Sequence, residues 1–178
     1  MLAMRLGNLD FLSIQQNLMF VAEPVKSMLQ TMDLQNVFVA PIDATLADTA
    51  SFCEEYNIEL DISANCVIIE ARKANKIWHA ACVILATNKV DVNGIVRRFL
   101  DARKTSFASM DSATSLTGMM YGGITPIGLP ADWPILVDSR VADEDRVVIG
   151  SGLRTSKILA PGQLLTSLPN ATILDIVK

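Results

Sequence analysis

One histidine, three cysteines without a CxxC pair, and no long apolar run are what this 178-residue chain has least of. Each scarcity excludes a class of chemistry. With His79 alone, a Ser-His-Asp triad has only one possible imidazole, and a multi-His metal site cannot be assembled. Cys53, Cys66 and Cys82 are an odd number at wide spacing, which argues against a disulfide framework and against a zinc cluster. Cys66 and Cys82 lie within strand-like apolar runs, where thiols serve as small hydrophobes. The longest apolar run, His79 to Ala86, falls far short of the ~20 residues that cross a bilayer. Arg5, Asp10 and the polar stretch after Ser13 interrupt the N-terminal segment, so no signal-peptide core is visible. A cytoplasmic domain is therefore expected, and the mean hydropathy of +0.35 is read as a well-filled core.

Charge is sparse and leans acidic. Fifteen Lys or Arg against nineteen Asp or Glu leave a net charge of -4, and charged residues are 19% of the chain. A broad basic surface gripping double-stranded nucleic acid, DNA included, is not expected from such a balance. No linker, repeat or low-complexity tract divides the sequence. One domain over residues 1–178 is expected, with residues 1–20 as an N-terminal extension.

Apolar spacing predicts a helix around Val25, Met28, Leu29 and Met32, then a strand at residues 37–40. Asp48 is a candidate N-cap for a helix carrying Phe52 and Tyr56 that Asn57 ends. Residues 65–71 and 79–86, joined through a polar turn, read as a hairpin whose second strand is central because it is apolar on both faces. Asp91 opens the clearest helix, with Val92, Ile95, Val96, Phe99 and Leu100 on one stripe and Arg97 and Arg98 outside. Arg103 and Lys104 are read with them as a solvated helix face or a modest docking patch for a nucleic-acid end. Asp111 is expected to begin a helix that Gly118 stops. Strands at residues 134–138 and 147–149, a helix at about 161–168 and a strand at 172–176 complete a mixed α/β domain.

The strongest local signal is the loop GGITPIGLP, residues 122–130. Glycines there permit close backbone approach, and bare N–H groups can be aimed at a phosphate or a developing oxyanion. The same residues would also serve as an ordinary helix-to-strand turn. A second glycine turn, Gly150-Ser151-Gly152, follows a strand, and Asp138 ends another. Both turns are expected to line one site. His79 reads as a partly buried structural imidazole.

Taken in order, Thr117-Gly118, Gly122-Gly123-Ile124-Thr125-Pro126-Ile127-Gly128, the strand ending at Asp138 and Gly150-Ser151-Gly152-Leu153-Arg154 resemble the YbaK/prolyl-tRNA synthetase-associated domain family, the trans-editing aminoacyl-tRNA deacylases. The match runs from about Asp48 to Ile176. The resemblance implies a curved, partly barrel-like mixed β-sheet with flanking helices. It also implies a pocket for the aminoacylated 3′ end of a mischarged tRNA, with an aminoacyl-tRNA synthetase as a further possible partner. Hydrolysis then proceeds without metal, cofactor or covalent intermediate. In that light Gly122, Gly123, Ile124, Thr125 and Pro126 would hold the ester carbonyl and ribose. Asp138, Ser151 and Gly152, with Thr117, Gly118, Ile69 and Glu70, would line the substrate pocket.

One departure stands out. Many members carry a functional Lys on the strand represented here by residues 66–71, at or next to Ile69, and this stretch has none until Lys73. Glu70 beside that position is open between pairing with a substrate ammonium and being an exposed strand residue. The departure leaves two expectations: a deacylase, or a non-catalytic relative that binds a tRNA 3′ end, an aminoacyl nucleotide or a synthetase. A domain that takes in only the terminal nucleotide needs few phosphate contacts, so the acidic balance fits a tRNA-end substrate with weak, salt-sensitive or partner-assisted capture.

Overall fold

A computed structural model describes residues 3–178. In chain order the strands are β1 (Ala3–Leu6), β2 (Leu9–Ser13), β3 (Phe38–Pro41), β4 (Ala64–Lys73), β5 (Lys76–Leu85), β6 (Lys104–Phe107), β7 (Ile135–Asp138), β8 (Val147–Gly150), β9 (Ser156–Ala160) and β10 (Ala171–Leu174). The helices are α1 (Glu23–Leu29), α2 (Thr49–Tyr56), α3 (Arg97–Phe99), α4 (Met110–Thr117), α5 (Ser139–Ala142) and α6 (Gly162–Thr166). The strands form two five-stranded sheets, ordered β1-β2-β3-β9-β8 and β10-β7-β5-β4-β6. The first is antiparallel throughout; in the second, β7 runs parallel to both β5 and β10. The mixed α/β expectation holds, but the sheets are separate layers and do not close into a barrel.

Alternation along the strands explains the layering. Val39, Ile149 and Ile158 of the first sheet meet Ile68, Ala81, Val83, Ile135 and Val137 of the second in the central core. The opposite face of the second sheet, with Ile69, Ala71, Cys82 and Leu136, packs against Val92, Val96 and Leu100. The outer face of the first sheet, with Phe11, Phe38 and Leu159, packs against Phe52 and Cys53 of α2. Strand β5 is central and buried on both faces, as its unbroken apolar run requires. The segment expected as an N-terminal extension supplies β1 and β2, the outer strands of the first sheet; its first two residues lie outside the described ones.

Local signals account for several boundaries. The Asp48 carboxylate accepts hydrogen bonds from the Ala50 and Ser51 N–H groups and starts α2, and Asn57 at φ +53° ends it. Asp91 accepts from Gly94 and Ile95, but the turn it opens, Val92–Val96, is wound more widely than an α-helix before tightening into α3. Helix α4 is capped by Ser109 through its bond from Ser112 N–H, not by Asp111, which lies inside the first turn. Arg103 and Lys104 lead into the edge strand β6 and are not on a helix face. Strand β9 was not expected at all.

Asp138 holds the second sheet together at its C-terminal end. Fully buried, its carboxylate accepts from the Arg140 backbone N–H (3.1 Å), from the Arg140 guanidinium (3.1 Å) and from the Ile176 N–H (3.0 Å). It thus caps α5 and ties residues after β10 to the end of β7. Replacing Asp138 with Ala leaves the buried Ile176 N–H unpaired, removes the α5 cap and one of the two carboxylates on Arg140, and is expected to destabilise the domain by about 3 kcal/mol. Urea denaturation measures this, and an unchanged midpoint would refute the role.

Candidate functional site

The two glycine turns meet backbone to backbone. Gly152 N–H donates to the Gly123 carbonyl at 2.7 Å, and Met120 N–H donates to the Gly152 carbonyl at 2.9 Å. A β-carbon on Gly123 would collide with the Leu153 carbonyl, and one on Gly150 would collide with the Gly123 carbonyl. The close approach thus requires glycine on both sides. Gly122, at φ +84°, sits against the guanidinium of Arg154. That guanidinium donates to the Tyr121 carbonyl (3.0 Å) and the Ala44 carbonyl (2.9 Å), strapping the loop to the segment before α2.

Beside this junction lies a cleft of about 400 Å³. Its walls come from the N-terminal end of α2 (Ala47, Asp48, Thr49), the first half of β4 (Ala64 to Ile68), the β6 end (Phe107, Ala108), the loop (Tyr121, Gly122, Ile124) and Gly150 with Lys157. The Thr49 hydroxyl donates to the Asn65 side-chain carbonyl at 2.6 Å, joining α2 to β4 across one wall. Gly123 N–H is taken by the Met120 carbonyl, while the backbone N–H groups of Tyr121, Gly122 and Ile124, the loop residues that line the cleft, have no partner among the described residues. Tyr121 and Phe107 are exposed at its edges.

Lys157 is the residue that sequence reasoning missed. It is 94% buried, donates from Nζ to the Ala47 carbonyl at 2.8 Å, and lies 5.3 Å from the centre of the Phe52 ring. Burial pulls its pKa from the usual 10.5 down to about 8; the neighbouring Arg154 charge acts in the same direction and Asp48 opposes it. The signal was there to find, since Lys157 is the one charge inside the otherwise apolar run of β9. Cys66 also lines the cleft, but burial raises its thiol pKa, leaving a neutral group and a poor nucleophile.

The other expected positions are distributed. Gly122 and Ile124 line the cleft, while Gly123 underlies it. Thr125 and Pro126 are buried behind the loop, and the Thr125 hydroxyl has no partner among the described residues. Ser151 is also buried, with its hydroxyl directed to the Ser156 carbonyl and receiving the Ser156 hydroxyl at 2.7 Å. Gly152 packs on Ala22 and Val25. Thr117 bonds back to Ala113, and Gly118, at φ +68°, ends α4. Ile69 faces the core on the far side of β4. Glu70 pairs with Arg72 at 2.6 Å, with His79 3.8 Å away and stacked on Trp133. Asp138, Ser151, Gly152, Thr117, Gly118, Ile69 and Glu70 are therefore not in the cleft wall. Among the described residues no cluster of His, Cys, Asp and Glu is arranged to hold a metal ion, and no helix is long and apolar enough to cross a membrane.

Comparison with known families places this arrangement. The model of the aminoacyl-tRNA editing domain matches residues 43–167, which include both glycine turns and every strand that lines the cleft. The chain belongs to the aminoacyl-tRNA editing domain family. Its fold is shared with the crystal structure of a protein proposed as a trans-editing enzyme for prolyl tRNA synthetase, at 18% identity and a TM-score of 0.73, covering 87% of this chain and 95% of that one. A hypothetical protein of known structure is similar at 17% identity and a TM-score of 0.76, covering 88% of this chain and all of that one.

Two outcomes follow for the editing domain's cleft. Gly150→Ala is expected to force the turns apart, destabilising by about 3 kcal/mol and lowering Tm by roughly 6–12 °C in calorimetry; a Tm within 2 °C of wild type (roughly what 1 kcal/mol would produce) contradicts this. Lys157→Met is expected to stabilise the domain by about 1–3 kcal/mol at pH 7 by removing a buried charge. Between about pH 8 and 10.5 the unfolded lysine keeps a proton that the buried one has lost, so wild-type stability rises with pH there. Denaturation curves of Lys157→Met should lack that rise.

Proposed function

We propose that the editing domain is a trans-acting deacylase that hydrolyses the ester between a wrongly attached amino acid and the 3′-terminal adenosine of a tRNA. The observation that carries this is the cleft itself. Glycine-loop residues with unpartnered backbone N–H groups and the buried Lys157 line the same cleft, in a volume suited to a nucleoside bearing a small side chain. An aminoacyl ester is already activated. What the protein must supply is a positioned water and a preorganised field for the tetrahedral oxyanion.

In this reading the Gly122 and Ile124 N–H groups face the ester carbonyl as it gains negative charge, and the Lys157 ammonium adds a fixed positive charge in a poorly solvated site. Water adds to the carbonyl carbon, the ester C–O bond breaks, and the water's proton reaches the departing ribose oxygen, with the neighbouring ribose hydroxyl as relay. Asp48, at the exposed side of the cleft, pairs with the ammonium of the amino acid, and Tyr121 and Phe107 offer surfaces for terminal bases. The absence of a lysine on the cleft face of β4, where Cys66 and Ile68 stand, favours the second reading of a non-catalytic binder.

A panel of mischarged tRNAs separates the two. Release of amino acid from at least one, well above the spontaneous rate, is expected, and saturable binding without turnover would establish the binder instead. Lys157→Met is expected to lower kcat by about 10²-fold or more while the fold persists. Because Lys157 acts as the ammonium, the enzymatic rate above background is expected to fall as pH rises through about 8. A rate that keeps climbing past that point would remove Lys157 from the mechanism.

A further inference from the structure

The chain's few positive charges are not evenly spread. Residues 72–104 hold eight of its fifteen Lys and Arg but only two of its nineteen Asp and Glu. The fold draws five of the eight to one end of the second sheet. Arg72 stands opposite Lys104 in the β4–β6 register, Lys73 opposite Lys76 across the β4–β5 turn, and Arg103 N–H donates to the Arg72 carbonyl at 2.9 Å. All five are exposed. Glu70 engages Arg72, and Asp101 engages Lys73 at 2.6 Å. Lys76, Arg103 and Lys104 have no carboxylate within 4 Å among the described residues.

This cationic end is continuous with the cleft. Strand alternation puts Arg72 on the same face of β4 as Cys66 and Ile68 of the cleft wall, and pairing puts Lys104 and Ser106 beside Arg72 and Glu70 on that face. Four residues separate Ile68 from Arg72, or about 13 Å along the strand. Edge strand β6 runs the same course, from Lys104 at the cationic end to Phe107 at the cleft. Lys73 and its partner Lys76 take the alternate positions, on the face of Ala71 and Trp78, so the cations wrap the end of the sheet, with Arg72 and Lys104 turned to the cleft side. A chain with an overall excess of acid that gathers its cations at the end of the sheet that leads out of its pocket has the electrostatic footprint of a polyanion site.

We propose that Arg72, Lys73, Lys76, Arg103 and Lys104 form a docking surface for the phosphodiester backbone of the RNA whose 3′ end enters the cleft. The proposal rests on the deacylase reading for the identity of that end. It adds a second point of attachment, a few nucleotides upstream of the reacting ester. The acidic remainder of the surface repels the same backbone, so the RNA is steered to approach along β6 and not across the first sheet.

The test uses the full chain and the variant Lys76→Glu/Arg103→Glu/Lys104→Glu, with the corresponding triple Gln variant as a milder control. Binding of a fluorescein-labelled, uncharged tRNA is followed by anisotropy at several salt concentrations. Hydrolysis is followed on aminoacyl-tRNA and on a 3′-terminal aminoacyl trinucleotide too short to reach the patch. The Glu variant should bind tRNA at least tenfold more weakly, with a salt dependence shallower by about two to three phosphate contacts, and the Gln variant should fall between. The kcat/KM for aminoacyl-tRNA should drop in parallel, whereas turnover of the trinucleotide changes less than twofold. Wild-type tRNA affinity in the Glu variant overturns the proposal. So does equal binding of wild type to anionic lipid vesicles, or an equal loss on the trinucleotide. If neither substrate is hydrolysed by the wild-type protein, the deacylase reading falls and the anisotropy still decides the patch.

Discussion

The contact between two glycine turns is the constraint on which the rest of the structure depends. Gly123 and Gly150 let the loop after α4 and the turn after β8 approach until their backbones hydrogen-bond, with no side chain between them. That contact fixes the position of Gly122 and Ile124 at the cleft and brings Arg154 within reach of both Tyr121 and Ala44. It also leads directly into β9, which carries Lys157 into the cleft wall beside Gly150. A site made this way relies on backbone position more than on side-chain identity, which accounts for its poverty in the usual catalytic residues.

Lys157 shows the opposing demand. Burying an ammonium with one carbonyl partner and an aromatic neighbour works against the fold, and nothing in the packing of β9 requires a charge there. Strain of this kind is tolerated where a charge in a poorly solvated site has a use. Asp138 is the contrasting case: equally buried, it is fully engaged with Arg140 and Ile176 and serves the architecture.

Sequence reasoning reached those elements whose signals are local. Asp48 and Asn57 bound α2 by cap chemistry, the polar turn between β4 and β5 announces the hairpin, and the two glycine clusters mark the turns that meet. What escaped was set by pairing across the chain. Strand β6, Lys-Thr-Ser-Phe, is polar because it is an edge, so its pattern reads as loop or helix face. Strand β9 is short, and its lysine hides an apolar run that only the neighbouring strands complete. The direction in which Ile69, Glu70 and Asp138 point depends on strand register, and a shift of one residue exchanges the faces.

The order of strands in the first sheet has a kinetic corollary. Central strand β3 lies between β2 and β9, and the contacts that close the cleft, from Arg154 to Ala44 and from Lys157 to Ala47, each join residues 110 positions apart. Loop closure of that length comes before any gain from the contacts it permits. During synthesis, β3 therefore leaves the ribosome long before its partner exists, with one apolar edge unpaired. The cleft is among the last parts of the molecule to form, and a nascent chain released early would present β3 as an adhesive edge.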